Sequence, residues 1–278
     1  MKLDIRYSNH PEDSKHYDTA TLRRHYLLDK LFVADEIMLT YSHQDRIIVG
    51  GIMPVKSELT LGACKELATD YFLQRREMGV INIGGDGVVI LDGKQYEVKR
   101  KEGMYVGMGT KQIVFRSKDK KSPAKFYINS CPAHKTYPTV HITAQKVNHM
   151  ATGDAAHLNK RVVYHYVHPA VCESCQLSMG ITEIDSTSNW NTMPCYTHER
   201  RMQVYLYFDL HDDNMVVHLM GTKEETRHLI VHNEQAVISP SWSIHSGVGT
   251  SNYSFVWGMC GENQTFTDID VIKTLELK

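Results

Sequence analysis

The chain has no apolar run approaching the roughly 18 residues that a membrane-spanning helix needs. Its first stretch, MKLDIRYSNHPEDSKHYD, has no apolar centre of the kind a secretory signal carries. Both absences lead to the expectation of a cytoplasmic chain with no membrane partner. Nor is there an excess of charge: Lys+Arg number 31 against 32 Asp+Glu, a formal net charge of −1. Without a basic face or tail, no nucleic-acid partner is expected. Cysteine is sparse, at 6 residues, and without a secretory signal these read as reduced thiols rather than a disulfide framework. Cys172-Glu-Ser-Cys175 has the spacing of half a zinc site, but no second Cys-x-x-Cys completes it. A phosphate loop is missing too. Gly84-Gly85-Asp86-Gly87 is followed by neither Lys-Ser/Thr nor a helical pattern, so it reads as a β-turn.

What is present is β-structure. With 278 residues, 42% of them apolar, the chain can build one large domain or two of about 130 residues each. Asp18-Thr19 is placed to cap a short helix, with Leu22 and Tyr26 four apart on one face. After it, Leu31, Val33, Ile37, Leu39 and Tyr41 fall at odd positions, the alternation of a half-buried strand. Short apolar runs follow at close spacing, separated by Gly50-Gly51, Gly84–Gly87, Asp92-Gly93 and Gly107–Gly109. Asp92-Gly93 is a two-residue hairpin signal, because its turn needs positive φ at both positions. Many short strands joined by glycine turns indicate sandwiches or barrels. The β pattern resumes near residue 171, with turns expected at His211–Asn214 and His232–Gln235.

The two β regions read as copies. Arg75-Arg76-Glu77-Met78-Gly79-Val80 echoes Arg200-Arg201-Met202-Gln203-Val204, and the stretch Met104–Lys111 lies over Ile238–His245. Arg75 to Lys111 spans 36 positions and Arg200 to His245 spans 45, so one loop is about nine residues longer in the second copy. The expected organisation is an N-terminal arm over 1–30, a barrel over 31–135, a connector with a short helix over 136–170, and a second barrel over 171–278. Position 111 is Lys where the second copy has His245, so the first barrel is expected to hold no metal.

The chemistry-bearing stretch is Asn191-Thr-Met-Pro-Cys-Tyr196-Thr-His198-Glu-Arg-Arg-Met-Gln203-Val-Tyr205, together with Pro240-Ser-Trp-Ser-Ile-His245-Ser-Gly247. Its spacing has the layout of a cupin metal site: His-x-His, a carboxylate four or five residues on, and a last His some 40 residues later. Residues i and i+2 of a strand point to one face, so both side chains of the pair enter the barrel. Three neutral nitrogens and one carboxylate suit a divalent metal.

The segments NTMPCYTHERRMQVY, ETRHLIVHNEQAVISPSWSIHSGVGT, RREMGVINIGGDG, DRIIVGGIMP and PAHKTYPT closely resemble the 5-keto-4-deoxyuronate isomerases, also called 4-deoxy-L-threo-5-hexosulose-uronate ketol-isomerases, from about residue 17 to 265. The resemblance implies an all-β tandem cupin. It also implies a bacterial, zinc-containing homo-oligomer, commonly a hexamer, that isomerises a keto-uronate in pectin catabolism. The family pattern reads His-Thr-His-Glu-Arg-Arg-Met-Glu. This chain has Tyr196 in place of the first His and Gln203 in place of the last Glu, so only His198 and His245 match zinc ligands of the family. A neutral phenol and an amide are poor substitutes for imidazole and carboxylate. Zinc is therefore expected to be weak or absent.

Around this core, the residues expected to do chemistry are His198, His245, Tyr196 and Gln203, the last two either bonded to each other or re-tuned to hold substrate. Arg200 and Arg201 are candidates for the substrate carboxylate, since guanidinium pairs with it bidentately. Their ordinary reading is an ion pair. Trp242, three residues before His245, is the candidate sugar platform, while Trp190 and Trp257 read as core. Glu199, next to a ligand on a strand, points the other way and is not assigned as a base. Two functions follow: a working ketol-isomerase, or a silent relative that binds uronates or serves assembly.

Overall fold

The computed structural model describes residues 1–211 and 213–278. Position 212, inside the expected turn at His211–Asn214, lies outside them. The protein is mostly β, with α-helices only at Pro11–Ser14 and Thr19–Tyr26 among the described residues. The chain divides into two compact units. Met1–Arg6, Lys30–Asn148 and Tyr166–Met179 form the first, and Tyr7–Asp29, His149–His165 and Gly180–Lys278 form the second.

In the first unit a seven-stranded sheet runs in the order Lys2–Arg6, Ile37–Ser42, Ile48–Ile52, Phe126–Pro132, Arg76–Asn82, Gly103–Val106 and Val140–Ile142. A four-stranded sheet runs in the order Leu59–Thr60, Ile113–Ser117, Gly87–Leu91 and Lys94–Val98. Val80, Met104, Phe115 and Phe126 are buried in one apolar core, and the Phe115 and Phe126 rings lie 5.1 Å apart. The hairpin at Asp92-Gly93 forms as expected: φ is 47° and 85° at the two positions, and Leu91 pairs with Lys94. The other glycine pair is different. Gly50 and Gly51 lie inside the Ile48–Ile52 strand, not in a turn. A Cβ on Gly51 would come within 2.1 Å of the Leu31 carbonyl oxygen, so close backbone approach, not turn geometry, requires glycine there.

The second unit repeats the plan. Its seven-stranded sheet runs Asn148–Thr152, Arg161–Val167, Leu177–Ile184, Ser254–Gly261, Arg201–Phe208, Ala236–Ser239 and Leu27–Leu28, with a four-stranded sheet of Trp190–Asn191, Ser246–Gly249, Val216–Thr222 and Glu225–Val231. Arg76–Asn82 and Arg201–Phe208 hold the same place in their sheets, each flanked by one long and one short antiparallel partner. The duplication read from the two Arg pairs is thus real at the level of topology. Each unit is a two-sheet jelly roll, open rather than closed into a continuous barrel.

Residues 136–170 do not carry the expected helix. They form strands at Val140–Ile142, Asn148–Thr152 and Arg161–Val167. The last of these reads RVVYHYV, rich in the β-branched and aromatic residues that favour strands; its polar first and fifth positions obscure the alternation. Residues 1–30 are not one arm. Lys2–Arg6 adds a parallel edge strand to the first unit, while 7–29 belongs to the second. The Asp18 carboxylate accepts the Thr21 N–H at 2.8 Å, capping the helix that buries Leu22 and Tyr26 against the second core. All six cysteines are free thiols. Lys111 is exposed, whereas His245, its counterpart in the second copy, is buried.

Candidate active site

The strand Arg201–Phe208 lies near the middle of the seven-stranded sheet of the second unit, and its odd residues face the interior of the jelly roll. Arg201, Gln203 and Tyr205 line one cavity of about 240 Å³, joined by Phe255, Trp257 and Met259 from the next strand and by Arg161, Val163 and His165 from a third. This i, i+2, i+4 pattern repeated on three strands is what a pleated sheet produces when one face bounds a hollow. That volume is enough for one small molecule.

Tyr196 arrives from the short strand Tyr196–Thr197, which pairs with Asp270–Val271. His198 follows one residue after that strand, and His245 precedes the strand Ser246–Gly249. Folding brings the three together. The His198 and His245 rings are 4.8 Å apart, centroid to centroid, and the Tyr196 ring stands edge-on to His245 at 4.7 Å. Both imidazoles are deeply buried, at 1% and 0% exposure, and neither lines the cavity. Tyr196 and Gln203 form the wall in front of them.

The hydrogen bonds define the state of the rings. His198 Nδ1 lies 2.8 Å from the Arg201 carbonyl oxygen, and Nε2 lies 3.0 Å from the side-chain amide of Gln203. Burial, followed by the charge of Arg201, lowers the His198 pKa, so the ring is neutral with a single N–H. That proton must sit on Nδ1, because a carbonyl can only accept. The Gln203 amide then turns its –NH₂ toward the Nε2 lone pair, an orientation assigned from the network. His245 is similar: Nδ1 faces the Ser243 carbonyl at 3.3 Å, and Nε2 is buried with no hydrogen-bond partner among the described residues. Burial and then His198 push its pKa well below the usual imidazole range. Gln203 meets His198 rather than Tyr196, whose phenol interacts with that of Tyr205. Burial raises the pKa of both phenols and keeps them protonated.

Behind Tyr205 lies a further imidazole that sequence reasoning missed. His218 is fully buried, its Nδ1 is 2.7 Å from the Tyr207 hydroxyl, and burial pushes its pKa down to about 3. The unfolded chain takes up a proton near pH 6.5 and the folded chain does not, so stability is intact above pH 6.5 and falls as pH drops toward 3. From pH 7 to pH 5 this one ring should cost about 2 kcal/mol. Urea unfolding of wild type and His218→Phe at both pH values measures it. An unchanged pH slope in the variant would show that His218 carries no such linkage.

The remaining sequence candidates are placed differently from expectation. Arg200 is exposed and paired with Glu262. Arg201 is 2% exposed and fully engaged: its guanidinium meets Asp268 at 2.6 Å and the Asn263 carbonyl at 2.9 Å, and it stacks over Phe266 at 4.9 Å. Neither arginine is free to take a carboxylate, because acids and carbonyls of the chain already hold them. Trp242 lines a different, small cleft beside Pro11, Glu12 and Leu22. The helical segments 11–14 and 19–26, distant in sequence, claim that ring. Trp257, assigned to the core, is the tryptophan at the cavity. Glu199 is exposed and lies in the turn between Tyr196–Thr197 and Arg201–Phe208, not on a strand as expected.

A zinc ion implied by the resemblance meets a poor donor set. Two imidazoles, a neutral phenol and an amide supply no anionic ligand, and one imidazole nitrogen is already bonded to Gln203. Among the described residues, no cluster of three His, Cys, Asp or Glu side chains is arranged to hold a metal. The residues present do not fit a tightly bound divalent cation.

The profile of the KduI/IolB family matches residues 27–274. The chain belongs to that family. A protein of Enterococcus faecalis named 4-deoxy-L-threo-5-hexosulose-uronate ketol-isomerase 2 is 55% identical over 276 residues, covering 99% of this chain and all of the relative. A Yersinia pseudotuberculosis protein named 4-deoxy-L-threo-5-hexosulose-uronate ketol-isomerase is 54% identical over 278 residues, with 99% and 100% covered. Among solved structures, an IolB-like protein from Salmonella typhimurium superposes with a TM-score of 0.65 at 12% identity, covering 81% of this chain and 86% of its own. An oxalate decarboxylase of Bacillus subtilis gives 0.55 at 6% identity, with 81% and 71% covered. These two likenesses concern the fold alone. Within the KduI/IolB fold, the cavity of this member is bounded by Tyr196 and Gln203, with the two motif histidines enclosed behind them.

Proposed function

We propose that this chain is a ketol-isomerase that interconverts 5-dehydro-4-deoxy-D-glucuronate and 3-deoxy-D-glycero-2,5-hexodiulosonate. Full-length identity of 53–55% to proteins named for that reaction carries the reading, and a small cavity lined by proton donors supports it. The reaction moves a carbonyl from C1 to C2. It needs a group to take the C2 proton and return it at C1, and donors to hold the enediolate between. Tyr196 faces the cavity, and burial keeps its phenol protonated, so it can donate to an enediolate oxygen. The Gln203 amide can hold a neighbouring hydroxyl. His165 is the one imidazole lining the cavity among the described residues and is the group we assign to proton transfer. Neutral donors stabilise a developing oxyanion less than a metal charge does, so we infer slow turnover with zinc held weakly or not at all.

We further take the chain to act in the cytoplasm on uronates derived from pectin, as a homo-oligomer, a hexamer by resemblance. A second reading, a uronate-binding relative with negligible turnover, is favoured by one observation: the motif histidines stand closed off behind Tyr196 and Gln203. Turnover of the keto-uronate with and without a chelator separates the readings. We expect measurable conversion that the chelator leaves unchanged, slower than that of the E. faecalis relative assayed beside it. No conversion by the wild type would leave only the binding reading. Loss of nearly all activity in chelator would overturn the metal-free account.

A further inference from the structure

We infer that Arg161 is the residue that binds the carboxylate of the substrate and so makes the site select acidic sugars over neutral ones. This rests on the ketol-isomerase reading of the same cavity. Arg161 opens the strand Arg161–Val167, and its side chain lines the cavity on the same face as Val163 and His165. Its Nη1 donates to the Asn159 carbonyl at 2.7 Å, which fixes the guanidinium without neutralising it. No acidic side chain among the described residues pairs with it, whereas Arg201, the other cation of the cavity, is held by Asp268 at 2.6 Å. A partly buried guanidinium without an anion is unfavourable, and burial does lower its pKa. A bound carboxylate would supply the missing charge through two parallel N–H···O bonds, the geometry that arginine offers and lysine does not. Tyr196, Gln203 and His165, the groups assigned to the reacting end, line the same cavity.

The test separates this inference from the reaction it rests on. Binding of D-glucuronate and of D-glucuronamide, which differ by one charge, is measured by calorimetry on wild type, Arg161→Gln and Arg161→Lys. Turnover of the keto-uronate is measured on the same three proteins. Wild type should prefer the acid over the amide by roughly tenfold or more, and Arg161→Gln should lose that preference. Arg161→Lys should fall between them, retaining charge but not the bidentate fork. In turnover, KM should rise about 10–100-fold in Arg161→Gln with a smaller change in kcat. Circular dichroism confirms folding, and Arg161→Lys serves if Arg161→Gln does not fold. Acid preference without turnover in wild type removes the isomerase reading and keeps the anchor. Turnover with an unaltered acid preference in both variants removes the anchor and keeps the isomerase. No binding and no turnover in wild type removes both.

Discussion

Replacing Tyr196→His and Gln203→Glu together should raise zinc affinity by roughly 100-fold or more and raise turnover of the keto-uronate with it. The site is already shaped for the change. His198 Nε2 and the Gln203 side-chain amide are 3.0 Å apart, and His245 Nε2 is buried with no partner among the described residues. The Tyr196 ring stands 4.7 Å from His245, so an imidazole there would join the same cluster. What is missing is one nitrogen and the only anion. Loss of a group that merely orients a ligand weakens metal binding by about 10–100-fold, and each factor of ten is about 1.4 kcal/mol. Restoring two direct ligands should exceed that.

The order of events is also constrained. Without metal, the carboxylate introduced by Gln203→Glu would be buried beside neutral rings, so the metal-free double variant should be less stable than wild type. Zinc should then raise its midpoint of unfolding, because it binds the folded state alone. Metal analysis of the purified proteins and thermal unfolding with and without zinc give the answer. If the double variant is isolated zinc-free and zinc leaves its unfolding unchanged, the account of the altered site is wrong. If the wild type is isolated with about one tightly held zinc per chain, the donor-set argument itself fails.

Glu77→Ala should destabilise the first unit by roughly 3 kcal/mol, because it strands buried backbone N–H donors. Glu77 is 0% exposed, and its carboxylate accepts four hydrogen bonds. Three come from the successive backbone N–H groups of Cys175, Gln176 and Leu177, at 2.7, 2.7 and 2.8 Å, and one from the Tyr105 hydroxyl at 2.8 Å. One side chain thus ties together segments about 100 residues apart in the chain. Hydrogen bonds to a charged acceptor are worth about 1.5–3 kcal/mol each in isolation. They do not add, because removing the acceptor strands the same three amides once. Glu77→Gln keeps a carbonyl oxygen for the Gln176 and Leu177 amides but turns an –NH₂ toward the Cys175 N–H, which can only donate, so it should recover part of the loss. Tyr105→Phe removes a single bond and should cost about 1 kcal/mol. Urea unfolding followed by a probe in the first unit compares the three; a loss under about 1 kcal/mol for Glu77→Ala would show that other contacts hold these segments.

Much of the architecture is legible in the sequence because it depends on short-range rules. Alternation marks the strands, Asp92-Gly93 marks a hairpin through its positive φ values, and Asp18 marks a helix start through its cap. The echo between Arg75-Arg76 and Arg200-Arg201 marks a duplication, since equivalent positions in two sheets face equivalent packing demands. The linear text misleads where one residue type serves two geometries. Gly50-Gly51 reads as a turn, yet both lie inside a strand, and Gly51 is there because the Leu31 backbone passes too close for a Cβ. The segment 136–170 reads as a connector because its strands are short and carry histidine and arginine on a face that forms a cavity wall in the folded chain.

The sequence alone is sufficient for the all-β duplicated plan, for family kinship, and for the observation that Tyr196 and Gln203 stand where an imidazole and a carboxylate are expected. It also brings His198, His245, Tyr196 and Gln203 into one group, since strand spacing determines which side chains share a face. Tertiary structure decides how each charge is used. Arg201 meets Asp268, far along the chain, and is withdrawn from substrate. Trp242 is claimed by helical segments near the N-terminus. Arg161, inconspicuous in the linear text, reaches the cavity with no acid paired to it among the described residues. Periodicity and turn chemistry act over a few residues, but an ion pair or a cavity wall depends on which distant side chain arrives opposite, and only the folded chain determines that.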